Sequence, residues 1–286
     1  MKISVVLLFA VLIAGCSGSM GEDSDTQPLN SPVVLSVRET FPNYATDEDP
    51  LPTILLATAE DLECCNYVIV SNLQPVGSTL GISISGVKLP GRICYTAFGP
   101  AQAEFVVPQM AKYRQIVLWY HGQTDLYDVA VDDSTFRISQ RGEHFAELAD
   151  TLVWRFPKRS FVYTCGTLTE DSCLCTQFRD SLMAHLSLAP ISAPTEGYWP
   201  YTRRSQGHYY DMPAEVYRYS DESAFQTAGA LLAAFKRTTL AGHSGVGIEL
   251  RNWRNTSYAS WMIPASSGPG EEVSRNVLSQ SEFATR

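Results

Sequence analysis

No apolar run in this chain is long enough to cross a bilayer: the longest, at the start around Val5–Val11 and Leu12–Ala14, falls well short of the roughly 20 residues a spanning helix needs. A basic surplus is also missing. Lys and Arg number 21 against 30 Asp and Glu, a net charge of −9. Nucleic acids and anionic lipid surfaces are both recognised through a basic footprint, so neither is an expected partner. The five histidines (His121, His144, His185, His208 and His243) are scattered. His144 with Glu147 and His208 with Asp211 offer two ligands each at one-turn spacing, whereas a zinc site takes three or four, and no H-E-x-x-H is present; no metal or cofactor is expected. A nucleophile elbow is absent too. Gly242-His243-Ser244-Gly245 has Val246 where the closing glycine belongs, and it follows a helix and precedes a strand, the reverse of the order an elbow needs. No internal repeat is found. At 45% apolar and 18% charged residues, the composition is globular, and the length supplies one large core or two ordinary ones.

What the chain does have begins at its first residues. Lys2, a short apolar stretch and the small residues Ala14 and Gly15 precede Cys16, the layout of a cleaved export signal. Ile13-Ala14-Gly15-Cys16 resembles the lipobox of bacterial lipoproteins. The resemblance covers residues 1–16 only. It implies that 1–15 are removed, that the Cys16 thiol takes a diacylglyceryl group and that the freed amine is acylated, so that two or more chains hold the protein firmly on the bilayer. Ser17 stands where an Asp would favour inner-membrane retention, so the resemblance implies the outer membrane of a two-membrane cell. Loss of Lys2 with the signal leaves 20 Lys and Arg against 30 acids, a net charge of −10.

With Cys16 assigned to lipid, six cysteines remain, and an exported chain favours disulfides. Cys173 and Cys175 sit about 200° apart around a helix and cannot both meet Cys165. Cys175 shares a face with Phe178 and Leu182, so Cys165–Cys175 is the local bond. Cys64 and Cys65, if extended, point oppositely; either can reach Cys94. Cys65 is the preferred partner, leaving Cys64 to join Cys173 across the two halves. Redox work by the C-x-C at Cys173–Cys175 is disfavoured, because thioredoxin-type chemistry uses two intervening residues.

Residues 16–32, without apolar period, read as a flexible tether. From 33 to 140 short strands follow one another: Val33–Val37, Thr53–Ala57, Tyr67–Ser71, Leu80–Ser85, Ile93–Ala97, Glu104–Val107, Tyr113–Tyr120 and Leu126–Val131. Leu80, Ile82 and Ile84 alternate with small residues, and Tyr127, Val129 and Val131 share one face, with Gly122–Asp125 as the turn before them. This spacing suggests an antiparallel β-sandwich of immunoglobulin-like type. Gly142–Leu152 reads as a short helix or connector. From 141 to 264 the order reads β-α-β-α-β-β, a two-layer α/β domain resembling ferredoxin-like folds, so that the whole is α+β. Its first helix opens at the capping box Thr167–Glu170 and runs to about Leu186; its second, capped by Ser220, buries Phe225, Ala228, Leu231, Leu232 and Phe235. Between them Pro190, Pro194 and Pro200 enforce a loop, and 265–286 reads as a disordered tail.

The richest surface candidate is Gly197–Met212, where Tyr198, Trp199, Tyr201, Tyr209 and Tyr210 surround Arg203, Arg204 and His208. Aromatics with arginine are the chemistry of binding hot spots and of stacking on sugars; the competing and favoured reading is that these rings pack the loop onto the helices. The sequence therefore points to an anchored, disulfide-braced, non-catalytic envelope protein whose partners are the bilayer and an unidentified envelope protein or glycan. A hydrolase with dispersed residues is the alternative. Exposed Trp199 and Tyr201 rings would favour binding. A pocket holding His208 or His243 beside a carboxylate and a hydroxyl would favour the hydrolase.

Overall fold

The computed structural model describes residues 26–263, except 45, 90–93, 96, 143–144, 170–171 and 205–208. Cys16, His208 and the tail 265–286 lie outside the described residues. Two β-sheets, each with its own apolar core, make up the body.

The first sheet has ten strands: β1 Val33–Thr40, β2 Leu51–Thr58, β3 Val68–Val76, β4 Thr79–Lys88, β5 Gln102–Val106, β6 Gln115–Tyr120, β7 Gln123–Val131, β8 Thr135–Arg141, β9 Ala146–Leu148 and β10 Leu152–Trp154. Apolar residues at alternate positions send Leu80, Ile82 and Ile84 of β4 and Tyr127 and Val129 of β7 into one interior, where they meet Leu35, Ile54, Ile116 and Phe136. The β6–β7 turn is tighter than the expected Gly122–Asp125 loop: His121 and Gly122 take it, at φ 46° and 80°, the two left-handed positions a two-residue hairpin requires. Asp125 therefore lies within β7 and faces inward with Tyr127 and Val129.

The strand order is β10-β8-β7-β6-β4-β3-β5-β2-β1-β9, with β1–β9, β3–β5 and β4–β6 parallel and the rest antiparallel. The two end strands are consecutive in the chain. The three residues 149–151 between them bridge the ends: the Ala149 N–H donates to Leu35 O of β1 and Thr151 O accepts from the Ile138 N–H of β8, each at 2.9 Å. The sheet is thus curled until its edges meet, which leaves little unpaired edge. Asp125 fastens the seam, its wholly buried carboxylate accepting from the Phe145 and Ala146 N–H groups at 3.0 and 2.9 Å.

This overturns the expected sandwich. A sandwich divides its strands between two facing sheets; here one hydrogen-bonded path runs through all ten. Gly142–Leu152 is not helical but contributes β9 and β10, so the first unit extends past 140 to Trp154. Of the expected strand Ile93–Ala97, the described residues Cys94, Tyr95 and Ala97 are outside any strand. Nor is the described end of the tether loose. Gln27 exchanges two 2.8 Å backbone hydrogen bonds with Val87, and Gly86 allows that approach, since a Cβ there would lie 2.2 Å from Gln27 O.

The second sheet follows the order β12-β14-β11-β15-β16, built from β11 Ser160–Thr167, β12 Leu188–Ile191, β14 Glu215–Tyr219, β15 Val246–Asn252 and β16 Ser257–Ala259, with the short β13 Tyr210–Asp211 beside the end of β11. Helices α1 Cys173–His185 and α2 Glu222–Thr238 pack on it and on each other, with Phe178 and Phe235 rings 5.1 Å apart. Asp221, one residue beyond the expected Ser220, caps α2 by accepting from the Ser223 and Ala224 N–H groups. Thr167 of the expected capping box belongs instead to β11, and α1 begins at Cys173.

The ferredoxin-like expectation fails here. From β11 onward the order is β-α-β-β-β-α-β-β, not the expected β-α-β-α-β-β. Two further strands, β12 and β13, occupy the stretch read as a proline loop. With strands dominating and two α-helices among the described residues, the chain is mostly β.

The disulfides also differ in part. Cys165 pairs with Cys175, as the helical geometry predicts, but Cys94 pairs with Cys64, not Cys65. Cys64 is the buried member of a turn, not of an extended pair, and Cys65 is held outward, its N–H donating to Ala97 O at 2.7 Å. The expected Cys64–Cys173 link is absent; Cys173 lies exposed on α1, outside both disulfides.

Candidate ligand cleft

The stretch singled out for its aromatics divides into two parts. Residues 196–201 fasten the second unit to the free side of β10. The Tyr198 N–H donates to Leu152 O, the Trp154 N–H donates to Tyr198 O, both at 2.9 Å, and Trp154 Nε1 donates to Glu196 O at 3.0 Å. Gly197 makes this possible: its φ is +80°, and a Cβ would stand 2.5 Å from Leu152 O. Arg38 of β1 lies over the Tyr198 ring, 4.4 Å from its centroid. Trp199 and Tyr201 turn into the core of the second unit, 8% and 4% exposed, so these two rings pack the loop, as the favoured reading has it, and are not the exposed aromatics that would favour binding. The Tyr201 ring meets Phe156, which meets Phe41, at 5.2 and 5.3 Å, and its hydroxyl hydrogen-bonds Ser160 Oγ at 2.9 Å. Burial pushes the Tyr201 phenol far above its ordinary value.

The remainder faces solvent. Arg203, Arg204, Tyr209 and Tyr210 are all exposed, and Tyr210 also pairs with Thr167 as part of β13. Arg203 borders a cleft of about 340 Å³ at the edge of the second sheet. Pro190 and Ile191 of β12, the buried Trp199, and Glu215 and Tyr217 of β14 line it with Arg203. The Ala214 N–H donates to Arg203 O at 2.9 Å and fixes the backbone there.

The two charges in the lining are unequally matched. Glu215 accepts from the Tyr217 hydroxyl and meets Arg179 of α1 at 3.5 Å. Burial, reinforced by the bond to Glu215, holds the Tyr217 phenol well above its ordinary range, so it stays a donor. Arg203 meets the Pro194 carbonyl at 3.4 Å and no carboxylate among the described residues. Arg179 is shared, meeting Asp180 at 3.0 Å, so the described lining presents an acid with a part share in one arginine and a guanidinium with no carboxylate partner among the described residues.

Among its described residues the cleft lining holds no histidine, and His208 lies outside the described residues. His243 is exposed on the turn after α2, its N–H donating to Leu240 O at 3.0 Å. No group of three metal-ligating side chains occurs among the described residues. Glu215, Tyr217 and Arg179 escape sequence reasoning because their meeting depends on how α1 crosses β14; alternation along Glu215–Tyr219 signals only that Glu215 and Tyr217 share a face.

No family model matches the chain, and neither the curated proteins nor the solved structures include a match to it.

Proposed function

We propose that this chain is a lipid-anchored protein of the bacterial envelope, held at the membrane, the outer one in a two-membrane cell, by acylated Cys16 and serving a non-catalytic binding or structural role. The observation that carries this is Ile13-Ala14-Gly15-Cys16 behind a short apolar run and Lys2. Two disulfides, Cys64–Cys94 and Cys165–Cys175, accord with folding in an oxidising compartment. Gln27 is pinned to β4, so the span from Cys16 to the body reaches at most about 40 Å even fully extended. The body therefore stays close to the bilayer.

The test is Cys16→Ser in a bacterial host. The wild type is expected to fractionate with membranes and to carry acyl mass on its N-terminal peptide, and the variant to be uncleaved or soluble. Identical processing of both, with no acyl mass on either, refutes the anchor.

A further inference from the structure

We infer that the cleft between β12, β14 and Arg203 is a binding site for a small organic carboxylate, above all the carboxylate-bearing sugar residue of an acidic glycan. The inference rests on the binding role proposed above and not on the anchor.

Charge matching selects the anion. Of the two charged groups among the described lining residues, Glu215 accepts from Tyr217 and shares Arg179 with Asp180, while Arg203 meets no carboxylate among the described residues. A cationic ligand would compete with Arg179 for Glu215, and a neutral one would draw nothing from the Arg203 charge, which is otherwise met by solvent and the Pro194 carbonyl. A planar guanidinium with its donors open is matched by a carboxylate, which takes two of them side by side. Size selects a compact body. About 340 Å³ lies at the small end of ligand clefts, enough for a single ring and not for a folded partner. The lining provides for the rest of such a ring: Pro190, Ile191 and Trp199 form apolar surface, and the Thr202 oxygen, whose proton is donated to Arg204 O, can accept from a ligand hydroxyl. A peptide strand adding to β12 fits worse, because Pro190 within that four-residue edge strand has no N–H to offer. The site is also preorganised, since the Arg203 backbone is held by Ala214 and the lining residue Trp199 by core packing.

The test is a calorimetric titration of the full chain in detergent with three probes: glucuronate, glucose, and cyclohexanecarboxylate. Glucuronate is expected to bind with a dissociation constant on the order of 1 mM, the range open to so small a ligand, and glucose to bind at least about tenfold more weakly, the discrimination expected of a charge-assisted pair. Glucuronate binding well ahead of cyclohexanecarboxylate identifies the sugar; equal binding of the two acids identifies a free organic acid; either supports the carboxylate site. Arg203→Gln should weaken glucuronate about tenfold or more with an unchanged melting temperature, because Arg203 is exposed. Should that variant fold poorly, Arg203→Lys, which keeps the charge and loses the fork, is expected to bind between the two. Glucose binding as well as glucuronate, no heat from either acid up to tens of millimolar (roughly the limit of useful affinity), or a variant that binds like wild type overturns the proposal. Such failure leaves the acylation result at Cys16 untouched, so the two readings fall separately.

Discussion

Asp125→Ala should open the seam of the first sheet. The wholly buried carboxylate accepts from the Phe145 and Ala146 N–H groups at 3.0 and 2.9 Å, just where the chain enters β9. The Ala146 donor is buried and the Phe145 donor partly so, and both lose their partner once the acceptor is gone. A buried donor left without a partner costs about 1–3 kcal/mol, and the truncated side chain adds a small void, so the expected loss is about 3–6 kcal/mol. That is a large fraction of the ~5–15 kcal/mol that holds an ordinary domain together. Asp125→Asn keeps an oxygen for the donors but loses its charge, and about half that loss is expected. Asp128 is the internal control: it lies three residues along the same strand and pairs with Arg141, with the two side chains 36% and 61% exposed. Asp128→Ala should therefore cost no more than about 1 kcal/mol. Denaturant unfolding of the three variants gives the ranking. Native-state hydrogen exchange of the Phe145, Ala146 and Ala149 amides shows whether the loss is local to the seam or global. If Asp125→Ala and Asp128→Ala are equally mild, the carboxylate does not hold the sheet closed and the reasoning fails.

Other expectations follow from the same geometry. Trp199→Ala truncates a ring of the second core and should lower stability by about 3–5 kcal/mol; a melt indistinguishable from wild type would show that the ring is not packed as described. Gly197→Ala should be comparably damaging for a different reason, the left-handed φ and the 2.5 Å approach to Leu152 O, and the loss should persist in the presence of cleft ligand; a neutral effect in thermal unfolding would contradict the staple. Peptide mapping without reductant should recover Cys64–Cys94 and Cys165–Cys175 and alkylate Cys65 in the folded state; recovery of Cys65–Cys94 would refute the pairing. Glu39, almost enclosed where the two units meet, hydrogen-bonds Arg155 and the Phe156 N–H, yet burial outweighs these and raises its pKa above the ordinary 4.5. The folded state then holds this proton more tightly than the unfolded chain, so the contribution is greatest below pH 4.5 and is lost as pH rises through the folded value. The stability difference between wild type and Glu39→Gln should accordingly shift against wild type from pH 4 toward neutrality, about in that window; a difference that is flat or moves the other way refutes the assignment.

What the sequence made legible was local. Alternation placed Tyr127 and Val129 inward, and helical spacing placed Cys175, Phe178 and Leu182 on the core side and predicted the Cys165–Cys175 bond. The same alternation assigned Asp125 to the inner face, but reading it as a turn residue hid this, because Asp is a turn former and His121 is not, even though His121 takes the left-handed position. The closure of the sheet was illegible. β9 and β10 are three residues each, too short to carry a period, and their pairing with β1 and β8 is decided by how far eight earlier strands have curled. Cys64 and Cys65 are equivalent by sequence; a turn, visible only in three dimensions, chose between them. For the candidate site, the stretch was found but its division was not: one aromatic run supplies both buried rings and an exposed rim, and composition cannot separate the two.

That division bears on how a ligand would be held. Within six residues the chain pairs with the edge of one sheet at Tyr198, enters the core of the other at Trp199 and Tyr201, and emerges as the cationic rim of a cleft at Arg203. Arg203 therefore needs little ordering on binding, since its neighbours are already fixed by packing, and binding energy need not be spent on arranging the loop. The same continuity makes the loop a poor hinge. Lifting Arg203 away from the cleft by moving the backbone would break the Ala214–Arg203 bond and strain the Trp199 packing behind it. Specificity in the proposed site would then be set by β12 and Glu215, with adjustment confined to the exposed end of the Arg203 side chain, which argues for a small ligand recognised by its charge and shape over a large partner accommodated by rearrangement.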